Sequence, residues 1–303
     1  MRLARTLTSL AAAGALLAGG LVAAPAAQAA PTVDGKVSAA TLTWGVKSSF
    51  RSYVKSSIAK GAITVSGGAK QAAGNGAFSF TSGTGSVLSG KGTVGFKGAV
   101  KFTGHAGQMN LTLSDLKVQL TGGGNGYLVA DAKAPKSKIT KAIALNDKRI
   151  ATVKVTTTKA SGGKVALKLT SVKLTKDGSA ALAGFYPANT VLDNGSVAGS
   201  YVARVASKTS VSAAAFTKGT KPTATVTVAR LSTKAYPSGT VTVSWTIGGK
   251  TTKKSYALKA SAKGKLKVTA PQASRTAVKV KASYSGNTAA KASASSTLTI
   301  KPR

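Results

Sequence analysis

The sequence predicts a mainly β protein, built as two antiparallel sandwich-like units in tandem with one short helix near the start of the first. Three observations carry this. Val, Thr, Leu and Ile alternate with Lys, Ser and Thr along most of the chain, the period of a strand with one buried and one solvated face. Gly-rich turns interrupt these runs at short intervals, as hairpins require. The chain has 303 residues, 43% of them hydrophobic, enough for packed cores and, at roughly 100–200 residues per domain, for two of them.

Residues 1–29 read as an address. Arg2 and Arg5 precede an apolar run over 10–24, which ends at Ala27-Gln28-Ala29, a small-x-small cleavage signal. This is the pattern of a secretory signal peptide. Cleavage is expected after Ala29, because cutting after Ala30 would leave Pro31 at the new terminus. A membrane anchor is the competing reading, but the run is short and rich in Ala and Gly against the roughly 20 residues a span needs. No second such stretch follows. The expected location is secreted and extracellular, or cell-wall associated through charge.

The first unit is expected over 30–205. Within 45–60, Val46, Phe50, Tyr53, Val54 and Ile58 recur at helical spacing, with Lys47, Arg51 and Lys55 on the opposite face. Gly61 is the stop signal, giving a helix of about four turns. Residues 62–203 read as a Gly-rich antiparallel sheet system, with Phe78, Phe80, Phe96, Val100 and Phe102 as buried faces and Gly122-Gly123-Gly124-Asn125-Gly126 as a hairpin tip. Residues 204–222 read as a linker or first edge strand. The second unit is expected over 206–303. Residues 241–247 run through Gly248-Gly249 into 250–258 as a hairpin, and further strands are expected at 265–269, 277–284 and 296–301. Regular short strands without cysteines suggest an immunoglobulin-like sandwich.

Composition excludes much chemistry. There is no Cys, one His and only six acidic residues, Asp34, Asp115, Asp131, Asp147, Asp177 and Asp193. Disulfides, thiolate metal sites and Cys nucleophiles are ruled out, and a His/Cys zinc site lacks ligands. Paired carboxylates for glycosidase work are improbable with scattered Asp and no Glu. Gly90-Lys91-Gly92-Thr93-Val94-Gly95 fits a nucleotide-loop pattern but lacks its strand–loop–helix context. A Ser-His-Asp triad is not excluded by counting, but no motif places its members together; the chain is not expected to be an enzyme.

The net charge of +37 comes from 43 Lys+Arg, and residues 208–303 hold 18 of them with no acid. Single lysines read as solvated strand faces. Together they attract anions, including anionic cell-wall polymers. A specific nucleic-acid function is not expected: the basic residues are dispersed and aromatics make up only 5%, too few for a stacking platform.

Four segments carry a resemblance. They are Leu42-Thr43-Trp44-Gly45-Val46-Lys47-Ser48-Ser49-Phe50-Arg51-Ser52-Tyr53-Val54, Gly98-Ala99-Val100-Lys101-Phe102-Thr103-Gly104-His105-Ala106-Gly107, Leu113-Ser114-Asp115-Leu116-Lys117-Val118 and Gly184-Phe185-Tyr186-Pro187-Ala188-Asn189-Thr190-Val191-Leu192-Asp193. In this order, over about 165 residues, the chain resembles the HtaA family of secreted or surface haem-binding modules. The resemblance implies haem (ferric haem b) as ligand, Tyr53 as axial iron ligand, His105 beside it and Tyr186 as a second pocket tyrosine. It implies capture of haem for iron acquisition, from a haem-donor protein and toward a downstream receptor. Lys117 and Asn189 depart from the family pattern, beside rather than on the proposed ligands. Tyr284-Ser285-Gly286-Asn287 before a terminal strand resembles bacterial immunoglobulin-like repeats.

The residue types suit that chemistry. A phenol is protonated in water, but ferric iron favours the phenolate, and tyrosine ligation of haem has precedent. An imidazole donating to the phenolate would stabilise it. From spacing alone, Tyr53 reads first as a core tyrosine with its hydroxyl at the rim, His105 as a strand or turn histidine or as the axial ligand itself, and Tyr186 as a strand-end packing residue. Trp44 reads as a structural staple at the helix start. The competing function is a surface adhesion or wall-binding protein with basic β units and no specific haem site.

Overall fold

A computed structural model describes residues 32–232 and 235–303. The expected signal peptide lies outside the described residues. The first part contains β1 (Gly35–Trp44), α1 (Ser48–Lys55), β2 (Ala62–Ser66), β3 (Lys70–Gln71), β4 (Phe78–Leu88), β5 (Lys91–Lys97) and β6 (Ala99–Gly104). It continues with β7 (Met109–Gly122), β8 (Asn125–Ala134), β9 (Ile143–Ser161), β10 (Lys164–Leu174), α2 (Lys176–Ala181) and β11 (Gly195–Ala203).

The strands pair in the order β2-β6-β7-β5-β4-β1-β11-β10-β9-β8, and β7 pairs with β8 as well. That last pairing closes the sheet: β7, β5, β4, β1, β11, β10, β9 and β8 form an antiparallel ring. Closure removes the edge strands that an open sandwich would leave. The expectation of an antiparallel β-rich unit with one early helix holds, and the sandwich-like core is a closed barrel. β7 is shared by its two halves. Residues 109–114 pair with β6, residues 117–121 pair with β5, and a bulge separates them. The β2–β6 pair therefore leaves the ring as a flap, and α1 packs on it. Phe50 and Val54 of α1 join Phe78, Phe80 and Phe102 in one buried cluster.

α1 is shorter than its apolar repeat predicts: eight residues instead of about four turns. Val46 takes a positive φ of 62°, which a helix cannot include. At the other end the Ser56 hydroxyl donates to Tyr53 O at 2.7 Å and accepts from the amides of Ile58 and Ala59, competing with further helical bonds.

The second part contains β12 (Ser207–Ser212), β13 (Thr223–Arg230), β14 (Gly239–Ile247), β15 (Lys250–Leu258), β16 (Lys265–Thr269), β17 (Val278–Tyr284), β18 (Ser293–Ala294) and β19 (Leu298–Ile300). They form two antiparallel sheets, β12-β13-β16 and β15-β14-β17 with β18 and β19 on β17. A separate cluster that includes Phe216, Val226, Val243, Trp245 and Val280 forms their core. The Gly248-Gly249 turn pairs Ile247 with Lys250, as a two-residue hairpin should. Among the described residues no helix is long and apolar enough to cross a membrane.

Candidate functional site

The register of β2 against β6 builds the site. Ala62 pairs with Thr103, so the chain leaving α1 lies against the chain leaving β6. The contact is close. A Cβ on Gly61 would fall 2.0 Å from Thr103 O and 2.7 Å from Val54 O, and one on Gly104 would fall 2.7 Å from the Met109 methyl. At Gly61, where the clash is with backbone oxygens, only glycine fits; at Gly104 the methionine tip would have to move. Backbone bonds fix the approach: Gly61 N–H donates to Val54 O at 2.8 Å, and His105 N–H donates to Ala59 O at 2.7 Å. The turn carrying His105 then runs through three left-handed residues, His105, Ala106 and Gly107, at φ 52°, 53° and 88°.

Two expected site residues meet as a result. The Tyr53 hydroxyl lies 2.6 Å from His105 Nε2, with ring centroids 5.8 Å apart. Both side chains are half-buried. An imidazole donor at this distance would stabilise a phenolate, and a phenol donor would serve a neutral imidazole. Tyr186 joins the same corner by a different route. It lies in the segment after α2, its carbonyl held by the Ser179 hydroxyl at 2.7 Å, and its ring meets Phe50 edge-on at 6.0 Å. Phe185 approaches the same Phe50 at 6.5 Å and remains 38% exposed. Phe50 thus stands between the Tyr53 side of α1 and the 185–186 pair. Lys47 Nζ lies 5.8 Å from the Tyr186 ring centroid.

One expectation is overturned. Helical spacing puts Arg51 with Lys47 and Lys55 on the face opposite the apolar one, yet it is buried, 7% exposed. Its Nη1 donates to Gly45 O at 2.5 Å and to Asp193 Oδ2 at 2.6 Å, and its Nε donates to Asn75 O at 2.9 Å. Asp193 also accepts from Ser48 N–H at the start of α1 at 2.9 Å, a favourable place for an anion. The Trp44 indole donates to Asp193 O at 3.0 Å, so Trp44 is the staple the sequence suggested. A Cβ on Gly45 would lie 2.4 Å from both Arg51 Nη1 and Asp193 Oδ2. Sequence reading missed this clasp. Its one available signal was the scarcity of acids, which makes each carboxylate a candidate partner for a buried cation.

The remaining chemistry lies elsewhere. Asp115, Asp131 and Asp147 converge at the bulges of β7, β8 and β9, where Lys117 pairs with Asp115 at 2.8 Å and with Asp147. Hydrogen bonds to those carboxylates hold the Lys117 pKa above the usual lysine range. The departure at Lys117 is thus absorbed in an ion-pair network on the barrel wall. Asn189 carries a positive φ of 70°, a conformation that glycine adopts most readily.

A family model described as Htaa (HtaA) matches residues 39–198, a span that contains Tyr53, His105 and Tyr186. Among solved structures, the C-terminal domain of HtaA from Corynebacterium glutamicum is similar at a TM-score of 0.50 and 28% identity, over 55% of this chain and 99% of that one. The N-terminal domain of the same protein gives a TM-score of 0.46 and 31% identity over 55% and 99%. Heme binding protein HtaB from Corynebacterium glutamicum gives 0.44 and 22% over 55% and 96%. The comparison with curated proteins gives no match.

Proposed function

Because the chain belongs to the HtaA family, we propose that it binds haem reversibly, with Tyr53 as the axial ligand of ferric iron and His105 hydrogen-bonded to the ligating oxygen. The observation that carries the reading is the 2.6 Å contact between Tyr53 Oη and His105 Nε2. A hard phenolate oxygen suits ferric iron, and a second residue that orients and stabilises the ligand is what a metal site needs. The surroundings fit a flat apolar macrocycle: Phe50, Tyr186 and the exposed Phe185 form an aromatic corner, and Ile58, on the turn after α1, is 71% exposed. Lys47 beside Tyr186 supplies a cation for a propionate.

The function is carriage, not turnover. Bound haem would be taken from a donor and handed to a receptor, and protonating the phenolate is one route to release. In this reading the leader expected over 1–29 directs the protein out of the cell, and the second unit, expected to be immunoglobulin-like, acts as a spacer or attachment module.

The test is an absorption titration with ferric haem in about physiological salt, on the wild type beside Tyr53→Ala and His105→Ala. A saturable one-to-one Soret change, lost in Tyr53→Ala and shifted in His105→Ala, is the expected result. A weak, salt-sensitive, non-saturating change shared by all three proteins would mean that haem only adheres to a basic surface. Loss in His105→Ala with an unaltered Tyr53→Ala spectrum would make His105 the ligand.

A further inference from the structure

From the outer faces of its second part, we infer that the protein has a docking surface for a phosphate-bearing polyol polymer, separate from the Tyr53 site. β14 is the central strand of its sheet, between β15 and β17. Val243 and Trp245 point inward and are buried, so Thr242, Ser244 and Thr246 point outward. Their neighbours on that face are fixed by register: Ser244 stands between Lys253 and Lys281, and Thr246 between Thr251 and Lys279. The result is a row of hydroxyls walled by lysines. Ser244, Thr246, Lys279, Lys281 and Thr299 line a shallow trough of about 610 Å³, and Lys253 stands outside it, across Ser244 on β15.

The opposite sheet repeats the pattern. On β13, Thr225 faces Lys267 and Thr227 faces Lys265. Threonine is a good strand former and lysine a good solubilising residue, so one such face would need no ligand to account for it. The sign of the charge is what calls for one. Soluble surfaces intersperse both signs, yet no carboxylate follows Asp193 in the sequence. Among the described residues, the ion pairs involve none of Lys253, Lys279 and Lys281. Such a one-sign field is complementary to a polyanion.

The residue types narrow the partner. The trough face carries lysine and no arginine. Lysine binds phosphate as a point charge, free of the planar, bidentate geometry that arginine's fork imposes on a carboxylate or phosphate, and so tolerates a flexible chain. The face offers no aromatic side chain, so it has no platform for nucleic-acid bases. Successive outward lysines on β17, Lys279 and Lys281, lie about 6.7 Å apart, and Lys253 and Lys281 about 9.6 Å apart across β14. A flexible chain with a phosphodiester in each short repeat can meet several of them together, with Ser and Thr hydroxyls donating to the phosphate oxygens.

The experiment measures binding of the full chain to poly(glycerol phosphate) across a salt series. It compares the wild type with Lys253→Gln/Lys279→Gln/Lys281→Gln and with a barrel triple, Lys133→Gln/Lys164→Gln/Lys168→Gln, that removes the same charge from exposed strand positions. Circular dichroism melting checks that each is folded. The expected result is at least a tenfold loss in the trough triple, a log–log salt slope lower by about two, and little change in the barrel triple. Equal losses in both triples would overturn the proposal, because net charge alone would then explain binding. Absence of binding at physiological salt would also overturn it, as would duplex or single-stranded DNA binding more tightly than the polymer.

Discussion

Arg51 and Asp193, 142 residues apart in sequence, meet at 2.6 Å where α1 begins. Around this pair are Gly45 O, Asn75 O and the Ser48 amide, each within 2.9 Å of one partner. The pair therefore ties three segments together: the end of β1, the loop before β4, and the segment that carries Tyr186. It fixes the start of the helix whose next turn presents Tyr53.

Removing one partner leaves the other as an uncompensated buried charge. Breaking a buried pair costs roughly 3–5 kcal/mol. Asp193 keeps 26% of its side chain in solvent, which puts the expected cost of Arg51→Ala or Asp193→Ala at about 3 kcal/mol. Chemical denaturation of the two single variants and the double variant measures it. The double variant should lose less than the sum of the singles, since no orphan charge remains. Additive losses would mean that the two side chains act independently.

Gly61 makes a steric prediction. A Cβ there would meet two backbone oxygens within 2.7 Å, neither of which can move like a side chain. Gly61→Ala should force the end of α1 away from β6 and cost on the order of 2–3 kcal/mol. Because the Tyr53–His105 contact depends on that approach, haem affinity should fall more than in Gly162→Ala, where a Cβ meets nothing within 4 Å. Gly162 has a positive φ of 57°, so it also controls for backbone strain. Equal effects on haem binding would remove the link between Gly61 and the site.

How much of this was legible in the sequence differs by scale. The alternation of apolar and polar residues identified five of the eight strands of the second part, and β16 (Lys265–Thr269) falls on the predicted residues, whereas β13 (Thr223–Arg230) and the two-residue β18 were missed and β12 lies in the stretch read as a linker or first edge strand. Barrel closure was not legible: the glycine tip at 122–126 announced the β7–β8 hairpin, but the β1–β4, β5–β7 and β1–β11 pairings that complete the ring join strands distant in sequence, in registers that no local pattern encodes. Tyr53, His105 and Tyr186 were found through the motifs around them, and the structure brings the first two into contact. Arg51 was misread for a physical reason. Lys47, Arg51 and Lys55 recur every four residues, so helical spacing puts them on one face whatever that face meets. Burial of Arg51 depends on Asp193, which arrives from a distant segment.

His105 offers a prediction separate from ligation. If it orients and stabilises the Tyr53 phenolate, His105→Ala should keep a tyrosine-ligated haem spectrum while affinity falls roughly 10–100-fold, the usual cost of losing such a partner. The dissociation rate to a haem-scavenging acceptor gives the readout. Unchanged dissociation would leave His105 as a turn residue only.

Asp34 supplies the acid-side prediction. Arg204 Nη2 lies 2.7 Å from its Oδ1 and the Ser89 amide donates to it at 2.9 Å, while Lys291 Nζ lies 3.8 Å from Oδ2. These residues join the residue before β1, the β4–β5 turn, the segment before β12 and the segment before β18. Burial pushes the Asp34 pKa up, but the hydrogen bonds from Ser89 and Arg204 outweigh it and hold the value below the ordinary carboxylate range. A carboxylate with a lowered folded pKa stabilises the fold above its unfolded value, near 3.9, and loses that contribution as pH falls through the folded value. Stability from this group should thus be full at neutral pH and decline below about pH 4. Asp34→Asn should melt lower than wild type at pH 7, and the gap should narrow steadily toward pH 2.5. Melting curves across that range decide it: a gap that stays constant with pH would show that the Asp34 charge contributes nothing and that only its shape matters.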